Sequence, residues 1–181
     1  MIIYFFYVRS MFLQQRDLFF VECGANDGEF GSNTLFFERQ WGWTGLLIEP
    51  DPVEVPKLLR KQRQAWVAPV CLSFDTTPST VRFESRAGGI GQVLDPKSPT
   101  KPNEQQIQCI PFYTLLLAMN RTRIDYFSLD VEGAMWPILR SIPFDLLDIR
   151  VRLRQLRNVS LQIVLFLYHF PLCYYCNRRN L

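Results

Sequence analysis

The sequence predicts an α/β fold built on a parallel β-sheet, and three observations support that prediction. Apolar segments suited to buried strands occur at Leu18–Glu22, Gly45–Glu49, Trp66–Leu72 and Ile124–Asp130. Helix-like segments lie between them, and strands that alternate with helices favour parallel pairing with right-handed crossovers. An acidic or hydroxyl side chain lies at or just after the end of each strand, where open parallel sheets bind their ligands.

The helices between the first three strands have recognisable starts. Ser32–Thr34 can cap a helix that runs through Leu35–Arg39. Asp51 and Pro52 can open a second helix, since an acid caps the first turn and proline is tolerated there. Pro56 is awkward inside that turn and is expected to delay the start of the helix.

The pattern changes after the third strand. Prolines, glycines and polar residues dominate residues 74–106, where only Val81–Phe83 is predicted as a strand. We expect this segment to leave the sheet as an irregular excursion, either a substrate lid or a disordered loop. A short strand at Ile107–Pro111 and helices at Thr114–Met119 and Gly133–Ile142 are predicted on either side of the fourth sheet strand.

Length and charge narrow the class of protein. A chain of 181 residues is long enough for one domain with a useful core. The formal net charge of +3 is too small to indicate nucleic acid. Basic residues concentrate after Arg140, in a pattern more typical of a solvated tail than of a nucleic-acid surface. We therefore expect no nucleic-acid partner.

The five cysteines do not form a metal-binding pattern. Cys173 and Cys176 have zinc-like spacing, but no second pair exists and His169 is the single histidine. A structural zinc site needs four ligands, so no metal is expected. Cys71 and Cys109 lie in apolar segments, as buried thiols or, if the domain occupies an oxidising compartment, as a disulfide.

Two apolar segments raise the question of membrane association. Ile2–Val8 is too short to span a bilayer and has no convincing signal-peptide cleavage site. Val159–Cys176 is about long enough, but it contains Gln162, His169 and Pro171. The sequence leaves open a membrane span, an element that completes the domain, and a non-native terminus.

A glycine turn after the first strand and an acid after the second predict a nucleoside pocket. Gly24 and Gly28 let the backbone approach a ligand, and Glu49 is placed for ribose hydroxyls. The turn lacks the full G-x-G-x-x-G pattern and no Walker lysine follows it, so phosphate binding is not favoured. Glu22 suits a ligand with a positive group beside the loop, such as the amino acid part of S-adenosylmethionine. Such a site needs mainly to orient a methyl sulfonium toward a nucleophile.

Four segments resemble the FkbM family of S-adenosylmethionine-dependent methyltransferases. They are VECGANDG at 21–28, WTGLLIEPDP at 43–52, VCLS at 70–73 and IDYFSLDVEGA at 124–134. The residues of two further segments, NTLFF at 33–37 and IPFD at 142–145, most resemble the arthropod, Star-like branch of that family. The resemblance covers roughly Leu18–Ile149 and implies a Rossmann-like class I methyltransferase sheet with flanking helices.

The resemblance implies a role for the residues around the first two strand ends. Glu49 would hold the ribose hydroxyls, with Asp51 nearby. The donor-binding turn would be formed by Glu22, Gly24, Asn26 and Gly28.

The remaining implied site residues follow the third and fourth strands. Leu72 and Ser73 would border the adenine, and Asp130 would be the catalytic residue that faces the methyl group and the acceptor. Whether Asp130 acts as a base or as an orienting group stays open. Glu132 and Gly133 would complete the family's Asp-Val-Glu-Gly motif, although Glu132 could equally cap the next helix.

The implied cofactor is S-adenosyl-L-methionine, and the implied reaction is methyl transfer to an oxygen of a small molecule or glycan. The Star-like resemblance implies an alternative, a non-catalytic protein that assists secretory and endosomal trafficking of membrane-bound growth-factor precursors. Its partner would be a membrane-protein cargo. The location would be cytoplasmic for a plain methyltransferase, and the endoplasmic reticulum, Golgi or endosome for a Star-like protein. Two glycosylation sequons, Asn120–Thr122 and Asn158–Ser160, would be usable in a lumen.

The sequence predicts three parts: an N-terminal extension at 1–17, a methyltransferase-like domain at 18–149 and a divergent basic, then apolar, tail at 150–181. Met135 and the pair Trp136–Pro137 depart from the family's last motif, and nothing after Arg150 resembles the family. We therefore expect a sheet that is truncated at its C-terminal edge and lacks an antiparallel edge strand.

Overall fold

A central sheet of six strands organises the protein, for which the computed structural model describes residues 12, 15–86, 89–131, 133–155 and 162–166. In spatial order the strands are β10 (Gln162–Phe166), β9 (Asp148–Gln155), β8 (Arg123–Leu129), β1 (Phe19–Cys23), β2 (Thr44–Ile48) and β3 (Trp66–Ala68). All neighbouring strands of this sheet pair in parallel except β9 and β10, which are antiparallel. The predicted α/β class with a parallel sheet is confirmed.

Strand β1 lies in the interior of the sheet, and every one of its residues is buried. Its side chains alternate between two apolar clusters, as a strand covered on both faces requires. Phe19 and Val21 belong to one cluster, and Phe20 belongs to the other. The chain leaves β1 toward β2 on one side and returns as β8 on the other, which makes β1 the switch point of the sheet.

Within the residues that the structure describes, four helices cover the sheet, and two of them pack in each apolar cluster. Helix α1 (Leu35–Trp41) contributes Phe37 and α2 (Val55–Arg60) contributes Leu58 to the cluster around Phe20. Helices α3 (Phe112–Ala118) and α4 (Met135–Ser141) pack in the cluster on the other face.

The starts of two helices show the effect of proline. Helix α2 begins at Val55, several residues after Pro52, with Pro56 in its first turn. This confirms that Pro56 delays the helix, because proline is tolerated only where its missing N–H would have no helical partner. Pro137 likewise lies in the first turn of α4.

A second sheet replaces the irregular excursion that the sequence predicted after the third strand. Its spatial order is β4 (Cys71–Leu72), β7 (Glu104–Ile110), β5 (Ser79–Glu84) and β6 (Gln92–Val93). The predicted strands at Val81–Phe83 and Ile107–Pro111 correspond to β5 and β7. The expectation of irregular structure was wrong for β6 and for the start of β7. Pro69 divides the predicted strand at 66–72 into β3 and β4, which belong to different sheets.

The C-terminal edge also differs from the prediction. Strand β9 pairs in parallel with β8, and β10 adds the antiparallel edge that the sequence analysis did not expect. The segment from Asp148 to Gln155 alternates arginine with aliphatic residues, which is the period of a strand and was interpreted as a basic tail. The three-part division of the chain stays a prediction.

Several other predictions lie outside the described residues. They are those for Ile2–Val8, Glu132, Asn158–Ser160, His169 and the pair Cys173–Cys176. No helix in the described part of the chain is both long and apolar enough to cross a membrane.

A disulfide joins Cys71 to Cys109 within the second sheet. These residues are register partners in the parallel pair of β4 and β7, with their Cα atoms 4.3 Å apart. The sequence left open whether these cysteines are buried thiols or a disulfide, and the structure contains the disulfide. It closes a long loop that contains β5 and β6, with a sequence separation of 38 residues.

Reduction of this disulfide should lower the free energy of unfolding by about 2–4 kcal/mol, because the reduced unfolded chain regains the entropy of the closed loop. Urea denaturation with and without reductant measures the difference. The control is the double variant Cys71→Ala, Cys109→Ala, whose stability should not respond to reductant. Equal stability of the oxidised and reduced wild-type chain would contradict the prediction.

Candidate functional site

A cavity of about 360 Å³ lies at the carboxyl ends of the parallel strands, beside the switch point at β1. Its floor comes from the residues that end or follow β1, β2 and β8, and one wall comes from β4 of the second sheet. Residues 89–93 and helix α4 supply the remaining sides. The volume falls within the usual range for small-molecule sites.

The turn after β1 brings backbone close to the centre of the cavity. Gly24 has a φ of 79°, and a Cβ atom there would overlap the carbonyl oxygen of Asp130. The Gly24 N–H donates to the Ile48 carbonyl oxygen at 2.9 Å, which lays the turn across the end of β2. Only glycine satisfies both the left-handed conformation and the close approach.

Glu49 closes the floor of the cavity just after β2. Its Oε2 accepts the Asn26 N–H at 2.7 Å, and its Oε1 accepts the Asp51 N–H at 2.9 Å. The pKa of Glu49 is raised to about 7, mainly by burial and also by the neighbouring carboxylates of Asp51 and Glu54, against the lowering effect of the two N–H groups. The site therefore holds a carboxyl group that titrates near neutral pH.

Five of the nine predicted site residues line this one cavity. Those that line it are Gly24, Asn26, Glu49, Leu72 and Asp130. Asp130 follows β8, and its backbone N–H donates to the Cys23 carbonyl oxygen at 3.0 Å, which aligns the ends of β1 and β8. The roles of these residues stay predictions, but the structure brings them together.

Glu22 does not line the cavity, because its carboxylate faces the loop before α1. Oε2 accepts the hydroxyls of Ser32, at 2.9 Å, and of Thr34, and Oε1 accepts the Asn33 N–H at 2.6 Å. Burial raises the pKa of Glu22, while these hydrogen bonds lower it. These hydrogen bonds hold the entry into α1, and the donor-binding role that the sequence predicted for Glu22 stays a prediction.

Gly28 and Ser73 also lie outside the cavity lining. Gly28 has a φ of 84° and packs against Leu58 of α2, on the side of the glycine turn that does not line the cavity. The Ser73 hydroxyl donates to the Thr77 carbonyl oxygen at 2.7 Å and so closes the turn toward β5. Both residues support the local backbone and do not contact the cavity.

Asp51 lies behind the cavity wall and is almost completely buried. Its Oδ1 accepts the Val53 N–H at 2.8 Å and the Ser85 hydroxyl at 2.7 Å. Its Oδ2 is buried and has no hydrogen-bond partner among the residues that the structure describes. A Cβ atom at Gly91, which lines the cavity, would lie 3.0 Å from Oδ2, so this oxygen faces the loop that borders the cavity.

Several lining residues were missed by the sequence analysis. Asn33 donates from Nδ2 to the Ser128 hydroxyl at 3.1 Å and borders the cavity, although it was interpreted only as part of a helix cap. The others lie on loops or in the second sheet, where the sequence analysis assigned no site residue: Phe30, Phe74, Phe83, Ile90 and Gln92. Phe30 is 79% exposed at the cavity mouth, and an exposed aromatic beside a glycine turn is the signal that could have identified it.

The charge of the cavity is negative. Among the described lining residues, Glu49 and Asp130 are the charged side chains, and none is Lys or Arg. No group of His, Cys, Asp and Glu in the described ranges could hold a metal ion. An acidic, largely apolar cavity disfavours phosphate groups and suits a ligand that carries a positive charge.

Comparison with known proteins gives one match. A family model described as "Methyltransferase FkbM domain" matches residues 22–171, which include every strand end around the cavity. The match extends beyond Ile149, where the sequence pattern indicated that the resemblance ends. No curated protein and no solved structure matches the chain.

Replacing Gly24 by alanine should destabilise the fold by about 3 kcal/mol or more, since left-handed strain adds to overlap with a backbone oxygen that cannot move aside. The matched control is Gly42→Ala. Gly42 also has a positive φ, of 69°, but a Cβ atom there meets no atom within 4 Å. The control should lose only about 1 kcal/mol in urea denaturation; equal losses would contradict the interpretation of Gly24.

Glu49 should make the ligand-free protein less stable as the pH rises. Its folded pKa of about 7 exceeds the ordinary 4.5, so the stability contributed by its protonated form is complete below 4.5 and lost through 7. Between about pH 5.5 and about pH 8 the loss should be about 2 kcal/mol in the wild type. Glu49→Gln should lack this component in urea denaturation at both pH values, and an identical pH dependence in the two proteins would contradict it.

Proposed function

Since the chain belongs to the FkbM methyltransferase family, we propose that its cavity binds S-adenosyl-L-methionine and that the protein transfers the methyl group to an oxygen of a small molecule or glycan. The observation that carries this proposal is the convergence of Gly24, Glu49 and Asp130 on one acidic cavity at the switch point of the sheet. Open parallel sheets bind nucleoside ligands at that point.

The shape and chemistry of the cavity fit such a donor. Glu49 offers two carboxylate oxygens for ribose hydroxyls. Among the described residues each oxygen accepts one backbone N–H, which leaves lone pairs for a ligand. Ile48, Val70 and Leu72 form an apolar wall suited to an adenine ring. The negative charge of the lining favours a cationic donor over a phosphorylated nucleotide.

The bound donor supplies a methyl group attached to a positively charged sulfur. The sulfur leaves as a neutral thioether, so no acid has to protonate it. The work of the chain is therefore to bind, orient and exclude water. We assign Asp130 to the acceptor side, where its carboxylate orients the acceptor hydroxyl or takes its proton. The hydrogen bond from the Asp130 N–H to Cys23 supports this assignment, because it fixes the end of β8 relative to the glycine turn.

Donor binding should weaken about tenfold between about pH 8 and about pH 6, because the ionised form of Glu49 accepts the ribose hydroxyls and becomes a minor form below its pKa of about 7. Isothermal titration of the full chain with S-adenosyl-L-methionine and S-adenosylhomocysteine measures both affinities. Glu49→Gln should bind at least tenfold more weakly at the higher pH and lose the pH dependence. No heat of binding in the folded wild type would overturn the proposal.

Asp130 can be tested separately from donor binding. Asp130→Asn should lower kcat at least a hundredfold if the carboxylate takes the proton, and should leave donor affinity within about threefold. A loss of donor affinity with unchanged kcat would instead move Asp130 to the donor side of the cavity.

A second candidate is the non-catalytic, Star-like role in secretory and endosomal trafficking of membrane-bound growth-factor precursors. The disulfide between Cys71 and Cys109 favours it, since disulfides persist in the secretory compartments and are rare in the cytosol. In that role the partner would be a membrane-protein cargo, and the location would be the endoplasmic reticulum, Golgi or endosome.

The variant Glu49→Ala separates the two candidates. In cells that depend on this protein, arrival of a membrane-bound precursor at the cell surface is measured with the wild type and with the variant. If the variant restores arrival fully while donor binding is lost in titration, trafficking does not need the donor and the non-catalytic candidate holds. If both are lost and the variant remains folded, the trafficking role requires the methyltransferase site.

A further inference from the structure

The turn between α3 and β8 presents Asn120, Arg121 and Thr122 to solvent, and all three residues are exposed. They form the Asn-x-Thr sequence that accepts an N-linked oligosaccharide. We propose that Asn120 is an N-glycosylation site. This inference goes beyond methyl transfer and does not depend on it.

The backbone of this turn is rigid and leaves the Asn120 side chain available. Helix α3 ends in a Schellman motif, in which the Arg121 N–H donates to Leu116 O and the Asn120 N–H donates to Leu117 O, both at 2.9 Å. Asn120 occupies the left-handed position of this motif, with a φ of 53°. Within the described part of the chain no hydrogen bond engages its side-chain amide, so the amide points into solvent from a fixed support.

The geometry alone has a competing explanation. Asparagine is a common residue in the left-handed position after a helix, so Asn120 could be present only as a cap. A second, independent observation favours modification. The disulfide between Cys71 and Cys109 indicates an oxidising compartment, and the secretory lumen is both oxidising and the place of N-glycosylation.

The position of Asn120 is compatible with a working cavity. Asn120 precedes the amino end of β8 (Arg123–Leu129), whereas Asp130 follows its carboxyl end. A strand of this length spans about 20 Å, so the oligosaccharide would leave from the edge of the sheet opposite the cavity. The Thr122 carbonyl oxygen accepts the Asp148 N–H at 2.9 Å, which anchors the turn to the start of β9.

The modification is a balanced transfer. A new bond joins Asn120 Nδ2 to the anomeric carbon of the oligosaccharide. The bond that breaks joins that carbon to a phosphate oxygen of a lipid diphosphate carrier, which leaves with the electron pair. One amide proton passes to a base of the transferring enzyme, and no oxidant or reductant is needed.

The decisive test uses the protein isolated from the cells that naturally produce it. An amidase that removes N-linked glycans is applied in ¹⁸O water, which converts each glycosylated asparagine to labelled aspartate. We expect the peptide that ends at Arg121 to carry the label at Asn120. An unlabelled asparagine at this position would overturn the proposal.

Variants expressed in the secretory lumen of cultured cells behind a cleavable signal peptide separate the glycan from the cap. Asn120→Gly keeps the left-handed turn and should remove one amidase-sensitive mobility shift. Thr122→Ala should remove the same shift with Asn120 still present, and Thr122→Ser should retain it. Asn158→Gln is combined with each variant to silence the second sequon. A shift that persists in Asn120→Gly with Asn158→Gln, or no shift in Asn158→Gln alone, would overturn the assignment.

Discussion

The buried carboxylate of Glu49 ties together the two strand ends on which the cavity depends. Its oxygens accept the N–H groups of Asn26 and Asp51, one from the turn after β1 and one from the segment after β2. These two hydrogen bonds favour the ionised form of Glu49 and lower its pKa, against the raising effect of burial. With the Gly24 N–H bonded to Ile48, they fix the glycine turn across the neighbouring strand. The floor of the cavity is thus a backbone structure held by one side chain.

Glu22 and Glu49 show how similar acids acquire different functions. Both are buried and both have a raised pKa because of burial. Glu22 is surrounded by the hydroxyls and N–H of a single loop, so its bonding capacity is used within the fold. Glu49 is bound by backbone alone and borders open space, beside two further carboxylates that destabilise its charge. A carboxyl group whose pKa is raised by burial and by neighbouring charges, at the edge of a cavity, is typical of binding and catalytic sites.

The sequence predicts the central sheet well, because β1, β2 and β8 are buried on both faces and their apolar runs are continuous. It does not predict which way a side chain at a strand end points. Glu22 pairs in register with Leu47, inside the ladder, whereas Glu49 lies one residue beyond the paired Ile48. Continued register would place Glu49 opposite Gly24, two positions beyond Glu22, so the two acids differ in their position along the strands and not in the face of the sheet. For the second sheet the sequence predicts strands at Val81–Phe83 and Ile107–Pro111, which correspond to β5 and β7, but not their pairing with β4 and β6 in one sheet.

The floor of the cavity and its wall at Leu72 are stabilised in different ways. The floor belongs to the central sheet, where β1, β2 and β8 each have a neighbouring strand on both sides. The wall at Leu72 belongs to β4, a strand of two residues whose one neighbour in the second sheet is β7 and whose Cys71 is bonded covalently to that neighbour. So short a strand offers few ladder hydrogen bonds. The disulfide therefore substitutes for ladder length, and the apolar wall of the proposed donor site depends on chemistry that persists only in an oxidising environment.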